Sequence, residues 1–429
     1  WWGMYNIPDN PRFNGSAPHA YSVLNDWHQG DAMVQQQFED CLRYWLTAYK
    51  VDGFRFDLVK GLGDNDSYKN TYNSATNTFG TPNDGKTNDY NPTRVARMKT
   101  LHDAMRTVNP DAYFINENLA TAREENEMAQ DGEINWANIN NAACQFAMGF
   151  ESGSSLNRFY APLDSRTWGS TVSYAESHDE ERMAYKQAKF GATGVKGNAE
   201  ISCRRLGSVA AQMILTPGAH MIWQFQEFGA DQTTKNASGN DTGNKKVIWS
   251  YLDRPANRGL FKSYSELCIT RANNPDMFRE GVQTDVKLSS WSSGRTLRLV
   301  NGDKGLYLYV NPAVSGTMTI PTGVDLLQDG FHLISVSDGV TPQLNHSSVT
   351  LPGGAYALYG TDTLAGIENV ATDATTPDCV VVDGNDIRVL GELTPEVYDM
   401  AGRRVGTTAL PAGIYVVRAG NYTTKVAIR

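Results

Sequence analysis

One short apolar segment constrains the fold of this chain most strongly, because it ends in a carboxylate with an arginine two residues before it. The segment reads Val51-Asp52-Gly53-Phe54-Arg55-Phe56-Asp57. Side chains alternate between the two faces of a strand, so Arg55 and Asp57 would point the same way. A guanidinium beside a carboxylate keeps the carboxylate ionised and fixes its orientation. The segment therefore predicts a buried strand that ends in either a catalytic nucleophile or a structural ion pair.

Two more apolar segments end in acids. They read Tyr113-Phe114-Ile115-Asn116-Glu117 and Val172-Ser173-Tyr174-Ala175-Glu176-Ser177-His178-Asp179. The interval from Asp57 to Glu117 nearly equals the interval from Glu117 to Asp179, and each interval has room for a helix. Strands that alternate with helices indicate βαβ units and a parallel sheet. In a (β/α) barrel the C-terminal ends of the strands converge on one face, which would bring the three acids into one pocket.

The same segments resemble conserved regions of the α-amylase family of glycoside hydrolases (glycoside hydrolase family 13). The second, third and fourth regions of that family resemble, in order, Gly53-Phe54-Arg55-Phe56-Asp57-Leu58-Val59-Lys60, Asn116-Glu117-Asn118 and Glu176-Ser177-His178-Asp179. The order and the spacing of the three motifs make the resemblance specific. It covers roughly residues 1–360 and implies an α/β fold built on a (β/α)8 TIM barrel.

The resemblance and the change of pattern along the chain predict three parts. Residues 1–274 would form the C-terminal part of the barrel, about strands four to eight. Residues 275–362 would form an all-β sandwich, and residues 363–429 a linker and a small C-terminal β domain. We find no match to the family's first region, Asp-x-x-x-Asn-His, or to the first three barrel strands. We therefore expect this chain to be a C-terminal portion of a longer protein.

Periodicity predicts several elements of the barrel. An amphipathic helix over residues 31–49 would present one apolar face, made of Phe38, Leu42, Trp45 and Tyr49. The sixth barrel strand would lie at residues 134–138, and residues 221–225 read as a buried eighth strand.

The resemblance assigns roles to individual residues. Asp57 would be the nucleophile, Glu117 the general acid and base, and Asp179 the third acid, which stabilises the transition state. Arg55 would hold Asp57, and His178 would bind the sugar in the subsite that is cleaved. Lys60 would contact substrate beyond the cleavage point or be only a solvated lysine. Apolar neighbours such as Phe114 would raise the pKa of Glu117.

Three functions fit these residues. The first is a retaining hydrolase of internal α-1,4 bonds in starch, glycogen or maltooligosaccharides. The second is a glucan branching enzyme or transglycosylase, because the chain departs from the usual family pattern at Gly61, Asn118 and Ser177 and its Ser-His-Asp-Glu run also resembles branching enzymes. The third is a non-catalytic glucan-binding protein. We assign no chemistry to Glu180 and Glu181, each of which could be a surface residue, and take Glu227 as structural.

Composition excludes other classes of function. The net charge of −9 and the lack of a basic cluster argue against a nucleic-acid partner. No apolar run approaches the length of a membrane span. The five cysteines and seven histidines show no metal-ligand spacing, so we assign no metal site. The loop at residues 61–92 could bind Ca²⁺ through the carboxylates of Asp64, Asp66, Asp84 and Asp89, although a solvated loop is favoured.

The last fifty residues carry a second resemblance. The segments are Glu396-Val397-Tyr398-Asp399-Met400-Ala401-Gly402-Arg403, Leu410-Pro411-Ala412-Gly413-Ile414-Tyr415-Val416-Val417 and Lys425-Val426-Ala427-Ile428-Arg429. They resemble the C-terminal sorting domain of proteins exported by the type IX secretion system of Bacteroidetes. A small carbohydrate-binding module is the alternative. The resemblance implies a secreted or cell-surface enzyme that meets the type IX machinery and acts on an α-glucan.

Overall fold

The computed structural model describes residues 12–21, 25–68, 84–328, 330–364, 380–389, 394–399, 403–419 and 422–428. The chain divides into two compact units, Trp1–Gly366 and Ile367–Arg429. Most of the linker predicted at the start of the last part lies outside the described residues. No helix within the described ranges combines the length and the apolar character needed to cross a bilayer.

The helices of the first unit alternate with short strands as far as Met221. The α-helices are α1 Ala32–Tyr44, α2 Asn65–Tyr68, α3 Asp84–Asn88, α4 Pro92–Arg106, α5 Ala122–Gln130, α6 Asn140–Met148, α7 Met183–Phe190, α8 Ala199–Ile214 and α9 Pro255–Asn273. A π-helix covers Trp45–Tyr49, and 3₁₀ helices cover Val59–Gly61, Asn157–Phe159, Ala161–Asp164, Trp249–Asp253 and Pro275–Met277.

Five parallel strands form the sheet that carries the acids. They are β1 Gly53–Phe56, β2 Tyr113–Asn116, β3 Ile134–Asn138, β4 Thr171–Tyr174 and β5 Ala219–Met221, paired in that order. The strands alternate with helices, which confirms the predicted α/β fold and the predicted third strand of this sheet. On the outer face, Phe56 and Phe114 pack with Met98 and Leu101 of α4, so burial of that helix fixes the sheet.

The predicted apolar face of α1 is wrong at its C-terminal end. Trp45 and Tyr49 are 46% and 59% exposed, and their rings stack on each other with centroids 4.6 Å apart. Leu46 is buried in their place, together with Leu42. Leu46 follows Leu42 by four residues, which is ordinary helical spacing, so the buried face continues through Leu46 rather than through Trp45 and Tyr49.

The predicted eighth strand is also displaced. The strand is Ala219–Met221 rather than residues 221–225, and its side chains are exposed or partly exposed. Phe225 has a positive φ of 63°, a backbone conformation that a strand cannot contain. Its side chain packs in a separate cluster with Phe228, Ala230 and Tyr251.

Two antiparallel sheets follow α9 and share one core, as predicted for an all-β sandwich. The first has the order β10-β13-β8-β7-β6 and the second the order β11-β12-β9. The strands are β6 Gln283–Lys287, β7 Arg295–Asn301, β8 Lys304–Val310, β9 Thr317–Pro321, β10 Phe331–Val336, β11 Gln343–Asn345, β12 Ser348–Pro352 and β13 Tyr356–Thr361. Two fully buried arginines tie this sandwich to the helices: Arg205 donates to the carbonyls of Pro312 and Ala313, and Arg295 donates to the carbonyl of Ser154.

The second unit is a small antiparallel β structure. A hairpin and a four-stranded sheet of order β17-β16-β18-β19 supply one apolar cluster, which includes Val397, Tyr415 and Val417. The strands are β14 Val380–Asp383, β15 Asp386–Val389, β16 Pro395–Asp399, β17 Arg404–Val405, β18 Gly413–Ala419 and β19 Tyr422–Ile428.

Gly53 begins β1 where the chain passes very close to β2. A Cβ at this position would lie 2.2 Å from the carbonyl oxygen of Tyr113. We expect Gly53→Ala to lower the free energy of unfolding by about 1–3 kcal/mol, because the two strands must separate to admit the methyl group. Denaturant unfolding measures the change. The control is Gly207→Ala in α8, where the nearest atoms are 3.6 Å away and helix propensity favours alanine. Equal stability of the two variants would contradict the prediction.

Glu133 is a buried acid behind the sheet. Its Oε2 accepts a 2.6 Å hydrogen bond from Asn116 Nδ2, and burial raises its pKa from 4.5 to about 8. Among the described residues, neither Glu133 Oε1 nor Asn116 Oδ1 has a hydrogen-bond partner. A neutral amide at position 133 could satisfy both atoms.

The raised pKa of Glu133 predicts how a variant changes stability with pH. An acid whose pKa is higher in the folded state binds protons that the unfolded state has released, so its ionisation costs stability as the pH rises from about 4.5 to about 8. We expect Glu133→Gln to be more stable than the native chain by at least about 1 kcal/mol at pH 8 and by little at pH 4.5. Denaturant unfolding across this range tests it, with the exposed Glu151→Gln as control. A difference that is constant or shrinks with pH would refute the prediction.

Candidate active site

The predicted acids lie at one edge of the parallel sheet. Asp57 directly follows β1, Glu117 directly follows β2, and His178 and Asp179 lie in the loop after β4. The carboxyl ends of parallel strands meet at the same edge, which is where ligands bind in folds of this kind. β1 and β2 each end at the residue before the acid, and β4 ends at Tyr174, a few residues before Asp179.

Arg55 is the centre of this edge. Its Nη1 donates to Asp57 Oδ1, and its Nη2 forms an ion pair with Glu117 Oε2 at 3.0 Å. Glu117 Oε2 also accepts a 3.0 Å hydrogen bond from the backbone N–H of Leu58. The Asp57 side chain is 74% exposed, whereas the Glu117 side chain is 17% exposed. One guanidinium therefore orients two carboxylates with very different access to solvent.

Trp136 supports Arg55, and the sequence analysis did not single it out. The Arg55 guanidinium carbon lies 4.1 Å from the centroid of the Trp136 ring, a cation–π contact. The same ring meets the rings of Tyr174 and His178, with centroid distances of 4.9 Å and 6.0 Å. Trp136 lies two residues after Ile134 in β3, so the two side chains share one face of the strand. The strand predicted from the sequence already contained this alternation.

His178 and Asp179 form the other side of the edge. His178 Nε2 lies 3.1 Å from Asp179 Oδ2, and both side chains are about two-fifths exposed, at 43% and 40%. The ring of His178 lies between Trp136 and Trp223, whose centroid is 5.9 Å away. The two aromatic rings limit how far the imidazole can turn.

The pKa of Glu117 is raised, and the main cause is burial. The Leu58 N–H and the charge of Arg55 act in the opposite direction, while the charges of Asp57 and Asp179 raise it further. The structure does not support the expected part of Phe114 in raising the pKa of Glu117. Phe114 lies on the outer face of β2, where its ring stacks on Phe56 with centroids 4.2 Å apart.

Among the described residues, the side chain of Lys60 contacts Asn88 and Tyr21 rather than one of the three acids. Its Nζ donates to Asn88 Oδ1 at 2.6 Å and lies 5.7 Å from the centroid of the Tyr21 ring. Partial burial, followed by the charge of Arg94, lowers its pKa. Its role in substrate binding stays a prediction.

Two of the acids that we left without a role are not on the surface. Glu181 is only 2% exposed and accepts hydrogen bonds from Thr233 and Thr234. Glu180 is partly buried and accepts from Ser177 and Asn138. Glu227 lies in the turn after β5, and burial raises its pKa.

The loop considered for calcium offers no cation site in its described part. Asp64 Oδ1 accepts a hydrogen bond from the backbone N–H of Ser67 at the start of α2. Among the residues that the structure describes, no group of three or more His, Cys, Asp or Glu side chains converges. The side chains of Asp66 and Asp84 lie outside the described set, so the calcium hypothesis stays untested.

Comparison with known proteins identifies the family to which this chain belongs. The model of the α-amylase catalytic domain matches residues 19–266, which is more than half of the chain. The chain belongs to the α-amylase family of glycoside hydrolases. The five parallel strands are therefore barrel strands four to eight, and the β-sandwich is the domain that follows the barrel.

The individual proteins that this α-amylase-family chain resembles include pullulanases. A pullulanase of Bacillus subtilis (strain 168) is 29% identical over 220 residues, which is 50% of this chain and 29% of the pullulanase. The apo pullulanase of Klebsiella pneumoniae has a TM-score of 0.61 at 15% identity, covering 80% of this chain and 46% of that one. A pullulanase of Anoxybacillus sp. LM18-11, solved with maltotetraose, has a TM-score of 0.57 at 18% identity, covering 82% and 50%. The chain thus spans a third or less of its curated relative and about half of these solved structures.

One departure from the family pattern has a structural reason. A Cβ at Gly61 would lie 2.4 Å from Nε2 of His19, so the ring of His19 occupies the space beside this residue. His19 Nε2 is held by Asp26 Oδ2 at 2.7 Å. A histidine from elsewhere in the chain stands next to the position where many α-amylases carry one.

The Arg55 contacts predict a measurable shift in the titration of Glu117. We expect Arg55→Gln to raise the pKa of Glu117, because the variant removes a cation 3.0 Å from Oε2 and leaves burial in place. NMR titration of ¹³C-labelled glutamate carboxyls measures it. Arg43→Gln, which disturbs only the surface pairs with Glu39 and Asp40, is the control. An unchanged or lower pKa in Arg55→Gln would show that Arg55 does not stabilise the Glu117 carboxylate.

Proposed function

We propose that this protein is a retaining glycoside hydrolase that cleaves internal α-1,4-glucosidic bonds of starch, glycogen or maltooligosaccharides. The observation that carries the proposal is the shared contact of Asp57 and Glu117 with one guanidinium. Retaining glycosidases need two carboxyl groups only about 5–5.5 Å apart, while inverting enzymes separate them further to admit water. Two carboxylates on adjacent nitrogens of one planar group support the closer arrangement.

The two carboxyl groups differ in exposure in the way that the reaction needs. Asp57, exposed and paired with Arg55, attacks the anomeric carbon and forms a covalent glycosyl-enzyme as the glycosidic bond breaks. Glu117, whose pKa is raised by burial, gives its proton to the leaving oxygen. Glu117 then takes a proton from the water that attacks the same carbon, and Asp57 leaves. Asp179 and His178 bind hydroxyl groups of the sugar that is cleaved.

A second candidate is cleavage of α-1,6 branch points. The named relatives that favour it are pullulanases, one of them 29% identical over half of this chain. The same three acids would serve that reaction, and they would also serve a branching enzyme or transglycosylase. A non-catalytic glucan-binding role is disfavoured by the retention of Asp57, Glu117, Asp179 and Arg55. Which bond is cleaved depends on the loops around the acids.

We also propose that the protein is exported through a type IX system and acts outside the cell or at its surface. The support is the sequence of β16, β18 and β19 in the second unit, which resembles the sorting domains of Bacteroidetes. A polymeric glucan is a substrate that an exported enzyme would meet. Export of a reporter fused to residues 363–429, but not to residues 275–362, would test this; equal retention of both would sink it.

The catalytic proposal predicts the effect of one isosteric change. We expect Asp57→Asn in the full-length protein to lower kcat on soluble starch by roughly a thousandfold or more, because an amide cannot form the glycosyl-enzyme. Reducing-sugar release measures it, with Asp111→Asn, an exposed acid before β2, as the matched control. Product analysis on amylose and on pullulan then separates α-1,4 from α-1,6 cleavage, and linkage analysis detects transfer. Starch binding with no turnover by the native protein would overturn the hydrolase proposal.

A further inference from the structure

We propose that Lys245 is a positioning residue of the active site, which holds the His178–Asp179 segment from the loop that follows β5. The inference rests on the proposed function, because it assigns to that reaction a residue outside the resembled motifs. Lys245 lies on a loop of residues 231–248 that is rich in Gly, Asn, Thr and Lys. Within the loop, Asn236 Oδ1 accepts from the backbone N–H groups of Ser238 and Asn240, and Lys235 Nζ pairs with Asp241. Two further contacts attach the loop to the active-site segment.

Glu181 fastens the near end of this loop to the active-site segment. Its Oε2 accepts a 2.6 Å hydrogen bond from Thr233 Oγ1. Its Oε1 accepts from the backbone N–H and from the hydroxyl of Thr234, at 2.9 Å and 3.1 Å. Glu181 is 2% exposed, so loss of these donors would leave a buried carboxylate with fewer hydrogen bonds, which costs stability. The contact brings the loop beside the residues that follow Asp179.

Lys245 makes the second attachment, and it does so at the functional residue itself. Its Nζ donates to the backbone carbonyl of His178. Burial lowers the pKa of Lys245, as does the charge of Arg182, while Glu180, Glu176 and Asp179 raise it. A half-buried ammonium is costly unless anionic groups compensate it, and these three carboxylates offset part of that cost. Lys245 therefore places a positive charge near the carboxylates of Glu180, Glu176 and Asp179.

The contact fixes the residues that would bind the sugar. His178 has its carbonyl held by Lys245, its ring between Trp136 and Trp223, and its Nε2 3.1 Å from Asp179. Arg55 supplies the positive charge beside Asp57 and Glu117, and Lys245 supplies it on the side of Asp179. A small displacement of groups that contact substrate can cost about a hundredfold in rate.

Three variants test the proposal in the full-length protein. We expect Lys245→Met to lower kcat/KM on maltooligosaccharides by roughly 10- to 100-fold, and Lys245→Arg to restore part of the loss. Lys246→Met, an exposed neighbour on the same loop, should behave as the native protein. Thermal unfolding of each variant shows whether the fold is kept.

The pH profile separates positioning from simple loop anchoring. Burial raises the pKa of Glu180, and the charge of Asp179 raises it further, while the charge of Lys245 lowers it. Ser177 and Asn138 donate to Glu180, so these contacts stabilise its ionised form. The same Ser177 hydroxyl accepts from the backbone N–H of Asp179, so protonation of Glu180 would disturb the Asp179 segment. Without Lys245 the pKa of Glu180 rises further, so we expect the acid limb of kcat/KM to move to higher pH in Lys245→Met. An unmoved profile, with no rescue by Lys245→Arg, would overturn the proposal.

A measurement without turnover keeps this proposal distinct from the proposed function. The NMR signals of the His178 ring should shift in Lys245→Met and stay unchanged in Lys246→Met, whether or not the protein hydrolyses glucan. If the native protein is inactive on every α-glucan, the function fails, while the ring signals still decide whether Lys245 positions His178. Identical ring signals in the two variants would refute the positioning role.

Discussion

The contact of Arg55 with both Asp57 and Glu117 is the interaction on which the rest of the site depends. A guanidinium is planar and always charged, so it can hold two carboxylates in fixed positions without sharing its proton. The parallel sheet makes the contact possible, since β1 and β2 pair with Arg55 opposite Ile115 and end at the same level. Trp136 on the next strand then covers the face of the guanidinium. Residues in or directly after three neighbouring strands, β1, β2 and β3, thus surround the guanidinium of Arg55.

Charge at this edge is arranged in two groups. Asp57 and Glu117 share Arg55, and the segment around Asp179 has Lys245 near its backbone and its carboxylates. Burial differs between these two acids: it raises the pKa of Glu117, while Asp57 stays in contact with solvent. Under the proposed function, the sheet and the three acids would serve hydrolysis and transfer alike. Loops such as residues 231–248 would then determine which glucan bond is cleaved.

Local patterns predicted the strands that precede Asp57, Glu117 and Asp179, because apolar runs that end in a charged residue are visible over a few positions. The same patterns placed β3 at residues 134–138 without error. They failed at Phe225, whose positive φ ends the predicted strand. They also failed after Leu42, where Trp45 and Leu46 both fit helical spacing and the structure buries Leu46. They also could not show contacts between distant residues. Glu181 looked like a surface acid because its partners, Thr233 and Thr234, are more than fifty residues away.

The anomeric configuration of the first product tests the central claim most directly. In the proposed mechanism, Asp57 and Glu117, oriented by one guanidinium, are close enough for direct attack and a covalent intermediate. Proton NMR of a maltooligosaccharide digest, recorded before mutarotation, reports the configuration of the newly released reducing end. Retention, seen as the α-anomer appearing first, is the predicted result. The β-anomer appearing first would mean inversion, and it would contradict the assignment of Asp57 as nucleophile.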